Sequence, residues 1–402
     1  MDRIAIIAPL PPLKTGIAIY SHKLYSRVAE HIPILILSDY RSKQVIPGAK
    51  ILRCWDKDTF ISSLITITRC LKLCKPRLIH LQLGFTLIKN YFITMLFAIY
   101  LLLLSRILKY KIVITLHGIM ARESIFFYLR IFNKSRLPIT PVYLLFKIYY
   151  IIISKLADLI ILHNHSMARK FIEMTNCALA KIRVIPHGVD VRKERVMQKK
   201  FCKEGKIILF TGFIRRSKGI HSLILAFGRF LKKNHNFRNV KLLIAGPKHF
   251  GDDDEYLTFL KLLVKKLGIE RNVKILCAFL SEEELDELIA NSDVIVLPYI
   301  DYFYEASGVL ARIMSFGKPV ICTRIPKFEA EIEDGVSGIL INPLNVSELE
   351  KALRLVIGDN VIRRQLGENL KKKTINRSWD DVAKRHIKLY VTLSKHIPRV
   401  HY

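Results

Sequence analysis

The chain predicts an α/β protein of two doubly wound, Rossmann-like units in tandem with a cleft between them. Two observations carry this. Short apolar runs alternate with stretches of helical spacing along most of the sequence, and the alternation breaks at a polar, basic stretch, residues 191–206, before starting again. At 402 residues the chain also exceeds one ordinary core, which makes two units the natural division.

In the first unit, residues 3–8 (RIAIIA) form an apolar run ending at Pro9. A strand covered on both faces loses polar alternation, so this run reads as a buried parallel strand. Pro11, Pro12 and Gly16 make the loop after it, and residues 17–29 have helical spacing. Further strands are expected at 34–37, 78–83, 112–116 and 159–162, with 184–185 near the end and helices in the intervals. The second unit repeats the scheme, with strands at 206–210, 240–245, 273–276, 294–297, 319–322 and 338–341. Helices are expected at 220–232, 255–267, 282–290 and 346–357. In such folds ligands bind beyond the carboxyl ends of the strands, so chemistry belongs in the cleft.

A hydrophobic content of 51% with 25% charged residues excludes a disordered chain. The formal charge of +31 is unusual and uneven: 27 Lys and Arg stand against 9 Asp and Glu up to residue 190, and 38 against 25 beyond it. Such an excess attracts anionic partners, either nucleic acid or the acidic face of a membrane. Residues 91–104 are almost wholly apolar, with Lys89 before them and Arg106, Lys109 and Lys111 after them; residues 142–153 form a second run, broken by Lys147 and followed by Lys155. The first run falls short of the roughly 20 residues a simple span needs. A helix seated in a membrane interface and an ordinary core helix both fit. The seven cysteines form no CxxC pair and no spacing framework, which argues against zinc and for a reducing cytoplasm.

Three motifs carry chemistry. Residues 210–220 (FTGFIRRSKGI) follow the first strand of the second unit; Arg215 offers a bidentate fork and Lys218 a point charge, a pair suited to a diphosphate. At the edge of the same sheet, Glu305 can accept bonds from sugar or ribose hydroxyls, and the N–H groups at Ser307, Gly308 and Val309 can hold a phosphate. In the first unit His117 follows the strand 112–116 directly and projects toward the cleft, whereas His187, in Pro186-His187-Gly188, reads as part of a hinge turn. The acids 252–255 resemble a metal site, but they precede a helix, where acids favour the N-terminus.

These motifs, with Pro11 to Ala18, His117-Gly118, the VIPHGVD run 184–190, the LLIAGP run 242–247, residues 293–320 and the GVSGILINP run 335–343, resemble the retaining glycosyltransferases of family four, which have the GT-B fold. The resemblance implies an acceptor-binding unit at 1–195, a nucleotide-sugar-binding unit at 196–378 and a last helix, 379–402, returning to the first. It implies that Gly16 approaches acceptor and donor phosphate, that His117 lies beside the transferred sugar, and that Gly212, Arg215 and Lys218 hold the diphosphate. Glu305 falls on the first of two paired glutamates, and Asn342 lies near the nucleotide. Transfer would proceed with retention, without metal or cofactor, from a nucleotide-diphospho-sugar.

The chain departs from that pattern at one point: eight residues after Glu305 stands Ile313, preceded by Arg312, where a second glutamate is expected. Glu329, Glu331 and Glu333 are candidates to replace it. The basic, apolar first half points to a lipid or lipid-linked glycan acceptor and to a cytoplasmic protein seated peripherally on the inner membrane face. An inactive family member and a nucleic-acid-binding protein are the alternatives; the latter lacks a helix-turn-helix, zinc-finger or P-loop signature.

Overall fold

The structure, a computed structural model, describes residues 4–85, 87–88, 90–131, 138–190, 205–248 and 253–395. Most of the basic stretch between the units lies outside the described residues, as do Lys89, Cys202 and Asp252.

The first unit contributes strands β1 (Ile4–Ile7), β2 (Ile34–Asp39), β3 (Ala49–Trp55), β4 (Leu78–Leu83), β5 (Lys111–Leu116), β6 (Gly118–Ile119), β7 (Leu159–Leu162) and β8 (Ile182–Val184). All but β6 form one parallel sheet in the order β3-β2-β1-β4-β5-β7-β8. Its helices are α1 (Gly16–Ala29), α2 (Phe60–Cys74), α3 (Tyr91–Ile107), α4 (Arg122–Ile131), α5 (Ile139–Leu156) and α6 (His165–Thr175). Side chains alternate across the sheet with the period of two that strands impose. Ala5 and Ile7 join the core under α2, α3, α5 and α6, while Ile4 and Ile6 join the core under α1.

The second unit contributes β9 (Ile207–Thr211), β10 (Lys241–Ala245), β11 (Val273–Leu276), β12 (Val294–Leu297), β13 (Tyr304–Glu305), β14 (Val320–Thr323) and β15 (Ile339–Ile341). All but β13 form a second parallel sheet, ordered β11-β10-β9-β12-β14-β15. Its helices are α7 (Ile220–Lys233), α8 (Asp253–Leu267), α9 (Glu282–Asn291), α10 (Gly308–Met314), α11 (Pro326–Glu329), α12 (Val346–Gly358) and α13 (Asn360–Lys372). A last helix, α14 (Trp379–Lys395), packs along α1, where Trp379, Val382, Ala383 and Tyr390 enter the core with Ile4 and Ile6. Strand order reverses at β1 in the first sheet and at β9 in the second, and these switch points are where an open α/β sheet leaves a crevice for ligand.

Edge strand β3 was not among the expected strands. Lys50 and Arg53 interrupt its apolar pattern because both side chains reach solvent at the sheet's margin. The two apolar runs are longer helices than their apolar stretches suggested, 17 residues for α3 and 18 for α5. Among the described residues α5 alone is long and apolar enough to cross a membrane. It nevertheless packs against α3, α4 and α6, with Tyr149, Tyr150 and Ile153 buried, as a layer helix of the unit does.

The outer side of that layer is distinctive. Neither Asp nor Glu occurs in α2, α3 or α5, while Arg69, Lys72, Arg106, Lys147 and Lys155 do. Large apolar side chains stand exposed on each helix, among them Ile61 and Ile65, Leu96 and Leu103, and Leu144 and Ile148. Isolated exposed hydrophobes are ordinary, whereas here they recur over three neighbouring helices.

Candidate active site

The site is built where the loops after β9 and β12 meet. Gly219 has φ +64°, and a Cβ there would lie 1.9 Å from the Pro298 carbonyl oxygen, so only glycine lets the loops approach this closely. The Ile300 amide donates to the Ser217 carbonyl at 2.9 Å, which joins them further. The apposition gathers three cations around one carboxylate. Asp301 accepts from Lys327 Nζ at 3.0 Å through Oδ1, and from Arg215 and Lys218 Nζ, each at 3.3 Å, through Oδ2. The Lys218 ammonium also lies 3.6 Å from the centre of the Tyr299 ring.

Burial makes this cluster electrostatically tense, because desolvation penalises every charge in it. Desolvation alone would raise the Asp301 carboxyl, but Lys218, Lys327 and Arg215 together hold it well below the usual carboxylate range. Lys327 is pulled down by desolvation and raised beyond its ordinary value by Asp301 and Glu305. Lys218 goes the other way, to about 7, because burial and its cationic neighbours Lys327 and Arg215 outweigh the pull of Asp301. One carboxylate shared among three cations leaves Lys218 undercompensated. An anion set beside it would supply the missing negative charge.

Glu305 stands at the rim of this cluster, and its Oε1 accepts from Lys327 Nζ. Its backbone lies in β13, which pairs antiparallel with β6 of the first unit, Glu305 opposite Gly118 and Tyr304 opposite Ile119. The preceding loop is embedded in the first unit: Phe303 packs on Phe85, Tyr302 stacks on Phe127 at 5.1 Å, and the Tyr304 hydroxyl donates to Glu123 at 2.7 Å. Glu305 is thus held by both units. Ser307 caps α10, accepting from the Leu310 amide at 3.2 Å. A Cβ on Gly308 would lie 3.4 Å from His187 Nε2, and one on Gly212 would lie 3.1 Å from the Tyr299 hydroxyl and 4.0 Å from Val309. The structure therefore connects Gly212, Val309 and Lys218 around Tyr299, joins Arg215 and Glu305 to them through Asp301 and Lys327, and sets Ser307 and Gly308 at the start of α10 with Gly308 beside His187.

His117 follows β5 as expected, but both its ring nitrogens are engaged within the first unit. Nδ1 lies 3.2 Å from His163 Nε2, and Nε2 lies 2.7 Å from the Gln82 side-chain amide. The proton positions follow in order. His163 Nδ1 must donate to the Ile185 carbonyl, at 3.1 Å, and burial lowers His163 to about 3, so its Nε2 accepts from His117 Nδ1. Burial, with His163 and His187 nearby, also holds His117 well below the usual imidazole range, and the Gln82 side chain bridges its Nε2 and the Tyr25 hydroxyl. Tyr20 packs edge-on against His117, His163, His187 and Trp379 beneath this arrangement. An imidazole so engaged has no free ring nitrogen with which to move a proton.

Two expected residues stand apart. Gly16 opens α1 after the Thr15 cap, and a Cβ there would meet nothing within 4 Å, so internal packing does not require the glycine. The same loop reaches the second unit, where Lys14 lies over the Phe279 ring at 4.2 Å. Asn342, at the end of edge strand β15, bonds locally to Glu348 and is not drawn to the cations.

Ile313 is fully buried in the second core. Arg312 faces α9, paired with Glu282 at 2.7 Å and with Asp286 at 2.6 Å, and Glu282 continues to Lys23 of α1 at 3.1 Å. None of the three substitute acids reaches the cluster. Glu331 is held bidentately by Arg377 at 2.7 and 2.9 Å, and Glu329 and Glu333 are exposed. The carboxylate that does reach it is Asp301. It and Lys327 were absent from the sequence reading. Asp301 closes the apolar run LPYID, and Lys327 stands three residues after Arg324 in VICTRIPKF, so neither carries a distinctive local signal.

Residues 36–193 match the model of Glycosyltransferase Family 4, and residues 191–373 match that of the Glycosyl transferases group 1. The chain belongs to this glycosyltransferase family and has its GT-B fold. Among curated proteins, it is 32% identical over 187 residues to an uncharacterized glycosyltransferase of Methanocaldococcus jannaschii, covering 46% of this chain and 44% of the relative. It is 29% identical over 248 residues to D-inositol 3-phosphate glycosyltransferase of Corynebacterium jeikeium, covering 59% and 58%. The chain thus spans about half the length of these relatives. Among solved structures, HepE of Anabaena in complex with UDP superposes with a TM-score of 0.73 at 16% identity, covering 98% of this chain and 100% of HepE.

Proposed function

We propose that this protein moves a sugar from a nucleoside-diphosphate sugar to a hydroxyl of a lipid or lipid-linked glycan, with retention of anomeric configuration and without a metal ion. The observation that carries the reading is the convergence of Arg215, Lys218 and Lys327 on Asp301 beside Glu305, at the switch point of the second sheet. Preorganised cations aimed at a leaving diphosphate stabilise the charge that develops on it, which is the largest service such a site can render. The bond from the anomeric carbon to the diphosphate oxygen breaks, and the acceptor oxygen forms the new bond on the same face. The acceptor's proton passes to the departing phosphate. Arg215 and Lys218 would hold the diphosphate, Glu305 a sugar hydroxyl, and His117 the sugar's far edge. A uridine nucleotide is the first donor to test, given the fold shared with HepE and its bound UDP.

The acceptor reading rests on the acid-free face of α2, α3 and α5, where exposed apolar side chains sit among basic ones. Apolar side chains entering the acyl boundary and cations at the headgroups suit a peripheral protein on an anionic, cytoplasm-facing leaflet. The test is transfer of radiolabel from a panel of UDP- and GDP-sugars into total membrane lipid. Label in the lipid fraction, stimulated by phosphatidylglycerol vesicles over phosphatidylcholine ones, is the expected result. Transfer confined to water-soluble acceptors and indifferent to vesicles would overturn the lipid reading.

A further inference from the structure

Lys327 has no place in the sequence motifs, yet it is the most enclosed charge in the site. It lies on α11, after the strand next to β12, and its side chain is 1% exposed. Its ammonium donates to Asp301 Oδ1 at 3.0 Å and to Glu305 Oε1, and the Tyr299 and Phe303 ring centres lie 5.7 and 5.9 Å away. Enclosed this way, it offers nothing for a ligand to touch. Whatever it does for the reaction it does through its partners.

Of those partners, Asp301 is itself buried, whereas the Glu305 side chain is 27% exposed and keeps its second oxygen, Oε2, clear of Lys327. The Glu305 backbone is fixed independently by its pairing with Gly118. Resting on the donor reading above, we infer that Lys327 is a positioning residue that fixes the Glu305 carboxylate with Oε2 presented to the hydroxyls of the donor sugar, and so selects an uncharged sugar over a uronic acid. The selection follows from charge. Glu305 already has its counter-ion, and a carboxylate on the sugar would meet Glu305 while Arg215 and Lys218 are engaged by the diphosphate. An unpaired like charge set against a competing ligand is one of the ways a site rejects it.

The experiment measures calorimetric affinity of the full chain for UDP, for the tightest of UDP-glucose, UDP-galactose and UDP-N-acetylglucosamine, and for UDP-glucuronate. The quantity read is the ratio of UDP-sugar to UDP affinity, which cancels effects on the phosphate cations. Wild type should favour the neutral sugar nucleotide over UDP-glucuronate by about tenfold or more, the scale of one charge-assisted hydrogen bond. Lys327→Met should bring the neutral-sugar ratio close to one, and Lys327→Arg should retain most of it. In a Glu305→Gln background Lys327→Met should change the ratio no further, a coupling that a merely structural lysine would not produce. An unchanged ratio in Lys327→Met, or additive losses in the double variant, would overturn the inference. Wild type failing to bind UDP at all would instead count against the uridine donor reading itself.

Discussion

In the second unit the cations of the site gather on one carboxylate that is 2% exposed, with Lys218 and Lys327 buried and Arg215 half-buried. In the first unit the basic residues of α2, α3 and α5 stand at the outer face with no acid in any of the three helices. The physical consequences differ. Exposed charges act at a distance, attract any anionic surface and are screened over about 8 Å at physiological salt. Buried charges act only on what enters their cavity, are screened far less, and shift one another's protonation. One protein can thus carry a large positive charge for two unrelated reasons.

The sharpest separation of the two regions is Lys218→Ala. It should lower donor kcat/KM by about 100-fold or more, the scale for removing one preorganised charge-assisted contact, while leaving sedimentation with anionic vesicles unchanged. The reverse variant, Leu144→Glu with Ile148→Glu, should cost about tenfold or more in vesicle affinity and leave UDP affinity as in wild type. Raising NaCl should release the wild type from vesicles but alter UDP affinity much less. Loss of both activities in either variant would break the comparison.

A smaller effect concerns pH. Lys218 sits at about 7 in the ligand-free site, and a diphosphate beside its ammonium raises it again. Between those two values the complex holds one more proton than the free protein, so affinity falls as pH rises through and beyond 7. The loss from pH 7 to 8 should be about fivefold, with calorimetry at pH 8 recording proton uptake from the buffer. The smallest effect is expected from Tyr304→Phe, which removes the hydroxyl donated to Glu123 from the strap between the units. It should cost about 1 kcal/mol, read as a drop of a few degrees in Tm.

Much of this was legible in the sequence, and the exceptions have a common cause. The sheets could be read because buried parallel strands leave unbroken apolar runs, as at 78–83 and 294–297. The loops that carry Arg215, Lys218 and Glu305 could be placed because each comes after such a run. Strand β3 could not, because Lys50 and Arg53 at a sheet edge mimic a loop. The pairing of β6 with β13 joins two-residue segments more than 180 positions apart and leaves no local period. Asp301 and Lys327 belong to no local motif and acquire meaning only once folding brings them to 3.0 Å from each other. The engaged nitrogens of His117 depend likewise on Gln82 and His163, from two other strand ends.

The most direct test is a thermal-stabilisation screen of nucleoside diphosphates and their sugars on the wild type, Lys218→Ala and Glu305→Ala. The wild type should be stabilised saturably by at least one nucleotide sugar, Lys218→Ala should lose stabilisation by nucleotide and nucleotide sugar alike, and Glu305→Ala should lose the part contributed by the sugar. Stabilisation undiminished in both variants would contradict the placement of the donor in the crevice between β9 and β12.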